Sequence, residues 1–476
     1  MTATASPAPV IVWFRQDLRL ADNPALRHAV DGDRPVICLY INDELTPGVR
    51  KLGGASKWWL HHSLTALAED IAQFGGRLIL RSGAAADIVT KVAEESGADA
   101  IVWNRRYGAA EQDCDAGVKS GFDGEAHSFD GLLMHEPTEV RTGAGNPYKV
   151  YTPFWKSFDA SDAPREPLPK VTKINGFDGT LESEDLSDWH LLPTKPDWSG
   201  GIADHWEVGE RAAHVQMREF LKTSVEDYDK QRDFPAIDGT SSLSPHLRFG
   251  EISPHTLWQA AMEADAGKGG LTWRKELVWR EFAYHLLHHF PDIPEENFQK
   301  KYDAFPWRQD GEALARWQKG ETGYPIVDAG MRQLWQTGWM HNRVRMIVGS
   351  FLVKHLLIHW RDGEDWFWDT LVDADPASNA AQWQWVAGTG ADAAPYFRIF
   401  NPITQAEKFD PDGNYIRQWV PELADLPTKY LGAPWEAPKD ILAKANVVLG
   451  ETYPKPIVDH KEARQRALDA LSEVKG

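Results

Sequence analysis

The chain has 476 residues, 42% of them hydrophobic and 25% charged, with a formal net charge of −19. That length exceeds a single hydrophobic core, so two or three domains are expected, and the composition excludes a fibrous or disordered chain. The acidity by itself argues against nucleic acid as a partner, yet residues 273–361 hold 13 Lys+Arg against 10 Asp+Glu, a local +3 that leaves −22 for the remainder.

"MTATASPAP" lacks the basic start and apolar core of a signal peptide. No apolar run is long enough to span a bilayer. Cys38 and Cys114 have neither metal-ligand nor CxxC spacing. A reducing, cytoplasmic location is therefore expected.

In chain order, "PVIVWF" (9–14), "PVICLYI" (35–41), "RLILRS" (77–82) and "DAIVWN" (99–104) read as buried strands. Helical patterns lie between them at 56–75 and 85–97. Alternating strands and helices predict a Rossmann-like parallel sheet covered on both faces, an α/β domain over 1–135. The first strand runs into "RQDLRLADNPAL", with no GxGxxG, so a nucleotide cofactor is expected elsewhere. Residues 136–205 are rich in proline, glycine and charge and read as a long linker. From 206 to 476 the periodicity is helical, which predicts an all-α C-terminal domain.

Several stretches carry chemistry. "GTSSLSPHLRFGEIS" (239–253) sets Thr240, Ser241, Ser242 and Ser244 before Pro245, which suits either a well-capped helix or an anion site at a helix start. "KELVWREF" puts Glu276 and Trp279 on one helical face, with Arg280 placed for an ion pair to Glu276. "WMHNRVRM" sets Asn342 and Met346 one turn apart beside Arg343 and Arg345. "DADPASNAAQWQW" places Asp373, Asp375 and Asn379 ahead of Trp383 and Trp385. Of 22 tryptophans, 13 lie between 258 and 419, which fits core packing, an aromatic ligand or electron transfer. The histidines of "YHLLHHF" and His355 and His359 form no recognisable metal pattern and read as structural or solvated.

Together with "VWFRQDLRLADNPAL", "TGYPIVDAGMRQL" and "PYFRIFNP", these stretches resemble the photolyase/cryptochrome family from about residue 9 to beyond 423. The resemblance is closest to its bacterial cyclobutane pyrimidine dimer branch, and "GGASKWWLHHSL" is similar to the branch related to plant cryptochromes. It implies FAD in the helical domain, held by Tyr228, Thr240, Ser241, Leu243, Ser244, Arg345, Asp373, Asp375 and Asn379, with Asn379 opposite flavin N5.

The same resemblance implies a DNA substrate containing pyrimidine dimers. Glu276, Trp279, Asn342, Met346 and Trp385 would hold the flipped dimer, and Arg343 and Arg398 would contact phosphates. It also implies electron transfer through Trp383, Trp360 and Trp307. An antenna is implied as well, with methenyltetrahydrofolate favoured over deazaflavin and Glu111 as its contact, although Ala110 stands where one branch has asparagine. The expected activity is a blue-light carbon–carbon lyase acting as a monomer, with no membrane and no obligate protein partner. The alternatives are a cryptochrome-like photoreceptor, a (6-4) photolyase, which would show histidine near Asn342 and Met346, and an ordinary flavin oxidoreductase.

Overall fold

A computed structural model describes residues 7–392 and 398–475. Pro395, Tyr396 and Phe397 of the "PYFRIFNP" stretch lie outside the described residues. The strands are β1 (Val10–Phe14), β2 (Val36–Asn42), β3 (Leu78–Ser82), β4 (Ala100–Asn104) and β5 (Glu125–Phe129). All pair in parallel in the order β3-β2-β1-β4-β5, with Val10 opposite both Val36 and Ala100. The helices between them are α1 (Pro24–Asp31), α2 (Gly54–Gln73), α3 (Ala85–Ser96) and α4 (Ala109–Gly121). β1 and β4 are buried throughout, as continuous apolar runs covered on both faces must be. β5, "EAHSF", escapes sequence reading because an edge strand needs no apolar run, and its side chains remain half-buried or exposed.

The strand order reverses between β1 and β4, where a doubly wound sheet opens its ligand crevice. Polar side chains fill that point. Arg15 pairs with Asp115 at 2.6 Å and also donates to the Asn104 carbonyl. Asn104 Nδ2 donates to Asp17 at 2.6 Å and to Asn23 at 2.8 Å. Burial lowers the Arg15 pKa, and Asp115 opposes that shift. The network ties the end of β1 to β4 and α4, although Arg15 Nε is buried without a hydrogen-bond partner.

The 136–205 stretch is more ordered than its composition suggests. It includes the helix α5 (Tyr151–Ala160). It then returns along the sheet, with Val36 N–H donating to Asn175 at 2.7 Å and Glu184 N–H donating to Leu80 at 2.9 Å.

Two compact units result, with boundaries different from the sequence segments. One contains the sheet and residues to Trp198, with Trp206–Glu226 and Ser241–Pro291; the other contains Ser199–His205, Asp227–Thr240 and the chain from Asp292. The long helix Gly267–His289 belongs with the sheet because buried polar groups tie it to the segment after β5. Glu281 accepts from Met134 N–H at 2.9 Å, and Arg280 donates to the Leu132 carbonyl at 2.9 Å. The second unit is built on a tryptophan-rich core that includes Trp317, Phe351, Trp360, Trp368 and Trp383. Its helix Asn342–Ser350 continues into a π-helical turn, Phe351–His355, an irregularity that often marks a functional segment.

Candidate functional site

In the second unit, the helix Pro376–Ala387 organises the candidate residues. Asp375 caps it, accepting from Ala377 N–H at 3.1 Å and Ser378 N–H at 2.7 Å, with Pro376 in the first turn. Asn379 and Trp383 are one turn apart and both face the helix Trp360–Thr370. Asn379 Nδ2 donates to the Glu364 carbonyl at 3.0 Å and to its carboxylate at 2.7 Å. Two acceptors fix the amide's orientation, so its oxygen is the end left to meet a ligand. Trp383 packs over Gly363, where a β-carbon would overlap its ring. Trp385 lies about 200° round the helix from Trp383 and stays half-buried. Gln384, fully buried between them, donates to the carbonyls of Ile293 at 2.7 Å and Glu296 at 2.8 Å and fixes the helix in place.

Asp373 is buried and takes two hydrogen bonds from Arg345, at 2.8 and 3.1 Å. Both come from one nitrogen, Nη2, while Nε donates to the Met340 carbonyl at 2.7 Å, so the pair balances charge and the guanidinium is held from two sides. Asn342 is exposed and Met346 half-buried on one face of their helix. His341 caps that helix through Nδ1, and burial pushes its pKa down to about 4, keeping the ring a neutral acceptor. Arg343 has protein partners of its own. It pairs with Asp233 at 2.8 Å and lies 4.3 Å from the Phe409 ring centre, so this guanidinium is already engaged. Arg398 is exposed beside Phe400. Tyr228 is buried, with the Arg232 guanidinium 5.4 Å from its ring centre, and Thr240 is half-buried.

The three expected electron-transfer tryptophans differ in burial. Trp383 and Trp360 are buried, whereas Trp307 is half-buried. Trp360 Nε1 donates to Asn297 at 2.9 Å. The His359 ring lies 5.6 Å from Trp360 and 5.0 Å from Trp307, and Gly363, under the Trp383 ring, is one turn from Trp360. Trp360 and Trp383 share one hydrophobic core, and Trp307 packs against it.

In the first unit, Glu276 and Trp279 are half-buried on the Gly267–His289 helix. Arg280 does not pair with Glu276 as its spacing suggested; it turns to Leu132 and lies 3.6 Å from Glu281. The serine-rich turn also departs from simple capping. Leu243, not a serine, precedes the helix Ser244–Phe249, and no side chain caps it. Ser242 has φ +51°, a left-handed conformation costly for a residue with a β-carbon. Ser241 is half-buried and its carbonyl accepts from Gln216 at 3.2 Å; Leu243 is buried and Ser244 exposed. Glu111 is half-buried, its carboxylate folded back over Gly108 near Arg106.

Sequence reasoning missed Glu364, Gly363, Asn297 and Tyr151. None has a local signal, since each matters only through a distant partner: Asn379, Trp383, Trp360 and Trp279 respectively.

Residues 10–172 match the DNA photolyase family and residues 273–473 match the FAD binding domain of DNA photolyase. A deoxyribodipyrimidine photo-lyase from Agrobacterium fabrum is 55% identical over 98% of this chain and 98% of its own. The chain belongs to the DNA photolyase family. A second photolyase relative, the deoxyribodipyrimidine photo-lyase of Escherichia coli, is 41% identical over 97% of this chain and 98% of its own. The crystal structure of a bacterial class III photolyase from Agrobacterium tumefaciens superposes with a TM-score of 0.96 at 53% identity, covering 100% of both chains.

The photolyase family's FAD fits residues present here. Within the second unit, Asn379 offers an oriented amide oxygen and Arg345 with Asp373 a neutral charge pair. Among the described residues no group of three or more His, Cys, Asp or Glu is placed to hold a metal, and no helix is long and apolar enough to cross a membrane.

Proposed function

We propose that this chain repairs cyclobutane pyrimidine dimers in DNA, driven by blue light. The observation that carries the reading is the full-length 55% identity to a deoxyribodipyrimidine photo-lyase. Reduced FAD, when bound, supplies on illumination one electron that the opened lesion returns, so two ring carbon–carbon bonds break with no net redox change.

The protein's own residues do the rest. Photolyases are among the enzymes that extrude their target nucleotide from the duplex. Trp279 and Trp385, each half-buried, offer indole faces to the flipped pyrimidines, and such stacking contributes about 1–3 kcal/mol per base. Glu276 and Asn342 would hydrogen-bond the base edges, the Asn342 amide N–H being the group suited to developing negative charge. Met346 would add an apolar contact to the lesion. The imidazole adjacent in sequence, His341, is a buried, neutral helix cap, which disfavours the proton-transfer chemistry of a (6-4) enzyme.

Tyr228, Thr240, Ser241, Leu243 and Ser244 would hold the cofactor's phosphates and ribityl chain; Arg345, Asp373, Asp375 and Asn379 would line its ring. Trp383, Trp360 and Trp307 would relay electrons from the surface. Arg398 is favoured over Arg343 as a phosphate contact, since Asp233 already holds the latter. A folate-class antenna near Glu111, in a monomeric cytoplasmic enzyme, completes the reading.

Duplexes carrying a defined cyclobutane dimer or a defined (6-4) product, incubated with the flavin-loaded protein, distinguish the possibilities. Blue light should restore intact pyrimidines in the first substrate and leave the second unchanged. Tight lesion binding with no repair under light would sink the assignment.

A further inference from the structure

We propose that Tyr151 is a positioning residue for lesion recognition, backing one face of Trp279 so that the other is preset as a flat platform for a flipped pyrimidine. The inference rests on the reading above that Trp279 stacks on the lesion. The phenol and the indole have ring centres 3.6 Å apart and planes within 7° of parallel. This is a full stack, much closer than the edge contact each ring makes with Phe282, 5.9 Å away at 68° from Tyr151 and 5.9 Å at 74° from Trp279.

An indole has two faces. Tyr151, itself 8% exposed, covers one of them. No other ring stacks on Trp279 among the described residues, and the side chain is half-buried. The indole therefore keeps accessible surface beyond what the phenol covers, and the face opposite the phenol is the proposed platform.

The support is also fixed in place. The Tyr151 hydroxyl donates to the carbonyl of Lys275 at 2.7 Å. Lys275 lies one turn before Trp279 on the same helix, so the phenol is clamped to the element that carries the indole. Tyr151 itself opens α5, whose Phe154 packs 5.2 Å from Phe282 and holds that helix in position. Stack, hydrogen bond and edge contacts together remove rotamer freedom from Trp279 before any base arrives. Ordering a free side chain on binding costs affinity, and a platform ordered in advance avoids that cost.

The test uses full-length, flavin-loaded protein and compares Kd for a dimer-containing duplex with Kd for the same undamaged duplex. Tyr151→Leu should weaken lesion binding about three- to ten-fold, the scale of an aromatic pair, while leaving undamaged-duplex affinity and flavin absorbance unchanged. Tyr151→Phe keeps the stack and loses the clamp, so it should fall between wild type and Tyr151→Leu. In a Trp279→Ala background, Tyr151→Leu should add nothing, because its effect passes through the indole. Wild-type lesion affinity in Tyr151→Leu, or a full additional loss on top of Trp279→Ala, would overturn the proposal. If Tyr151→Leu fails to retain flavin, Tyr151→Phe decides, and lesion affinity equal to wild type would overturn the clamp. Trp279→Ala separates this idea from its premise. Unchanged lesion affinity there removes the platform altogether, whereas a loss there without a loss in Tyr151→Leu removes only the role of Tyr151.

Discussion

Asn379 and Trp383 illustrate how a single turn of helix divides labour. Both face the helix Trp360–Thr370, but one presents a fixed amide and the other a buried indole. Trp383 is buried, touches Phe367 and Trp317 edge-on at 4.9 and 6.2 Å, and packs over Gly363. Indole is among the most easily oxidised side chains, and several short hops outrun one long tunnelling step. Trp383→Phe keeps the volume nearly constant, so fold and flavin content should survive. Light-driven reduction of the oxidised cofactor should then slow by at least an order of magnitude, followed by absorbance, while repair by chemically pre-reduced enzyme continues. Unchanged photoreduction would take Trp383 out of the relay.

At the scale of elements, the placement of Asn379, Trp383 and Trp385 depends on where the Pro376–Ala387 helix begins. Asp375 decides that, through its bonds to Ala377 and Ser378, together with Pro376 in the first turn. Asp375→Ala should cost about 1 kcal/mol of stability, with Asp375→Ser recovering most of it, both read by urea unfolding. The far end is set by Gly388 at φ +89°, a conformation that suits glycine, and the middle by Gln384, whose carbonyl oxygen also accepts from Phe298 N–H at 2.9 Å. Equal loss in Asp375→Ser and Asp375→Ala would mean that the carboxylate acts by charge and not as a cap.

At the scale of the whole molecule, two bulk properties follow from what is buried. His255 and His341 are pushed down to about 4, and His285 and His355 to about 3, in each case chiefly by burial. These rings are neutral when folded but protonate near pH 6.5 when unfolded, so the unfolded chain binds more protons below that pH. Their contribution is full above about 6.5 and is lost as pH falls, toward about 4 for His255 and His341 and toward about 3 for His285 and His355. Glu281, raised to about 7 by burial, works the opposite way, its contribution being present below about 4.5 and lost as pH rises through 7. Four groups oppose one, so Tm should fall measurably between pH 7 and pH 5; a rise over that interval would contradict the balance. The second property is the response to salt. Although the chain carries −19, lesion-DNA affinity should decline linearly in log–log form with added salt, because phosphate contacts release counterions. A flat titration would exclude a basic DNA face.

The sequence by itself determined the elements whose signal is local. Apolar β-branched runs define β1 to β4, and helical periodicity dominates from 206 onward. Ordered motifs also mark the candidate residues, from Glu276 to Trp385. Tertiary structure decided what depends on partners distant in the chain. Composition could not show that Arg343 would meet Asp233, that Arg280 would turn from Glu276 to Leu132, or that Ser242 would adopt a left-handed turn. Nor could spacing reveal that Glu364 orients Asn379, or that Tyr151 lies flat on Trp279. The physical reason is the same throughout. Helix and strand periods are written in neighbouring residues, whereas a hydrogen bond or ring stack between distant segments exists only once the chain has brought its partners together.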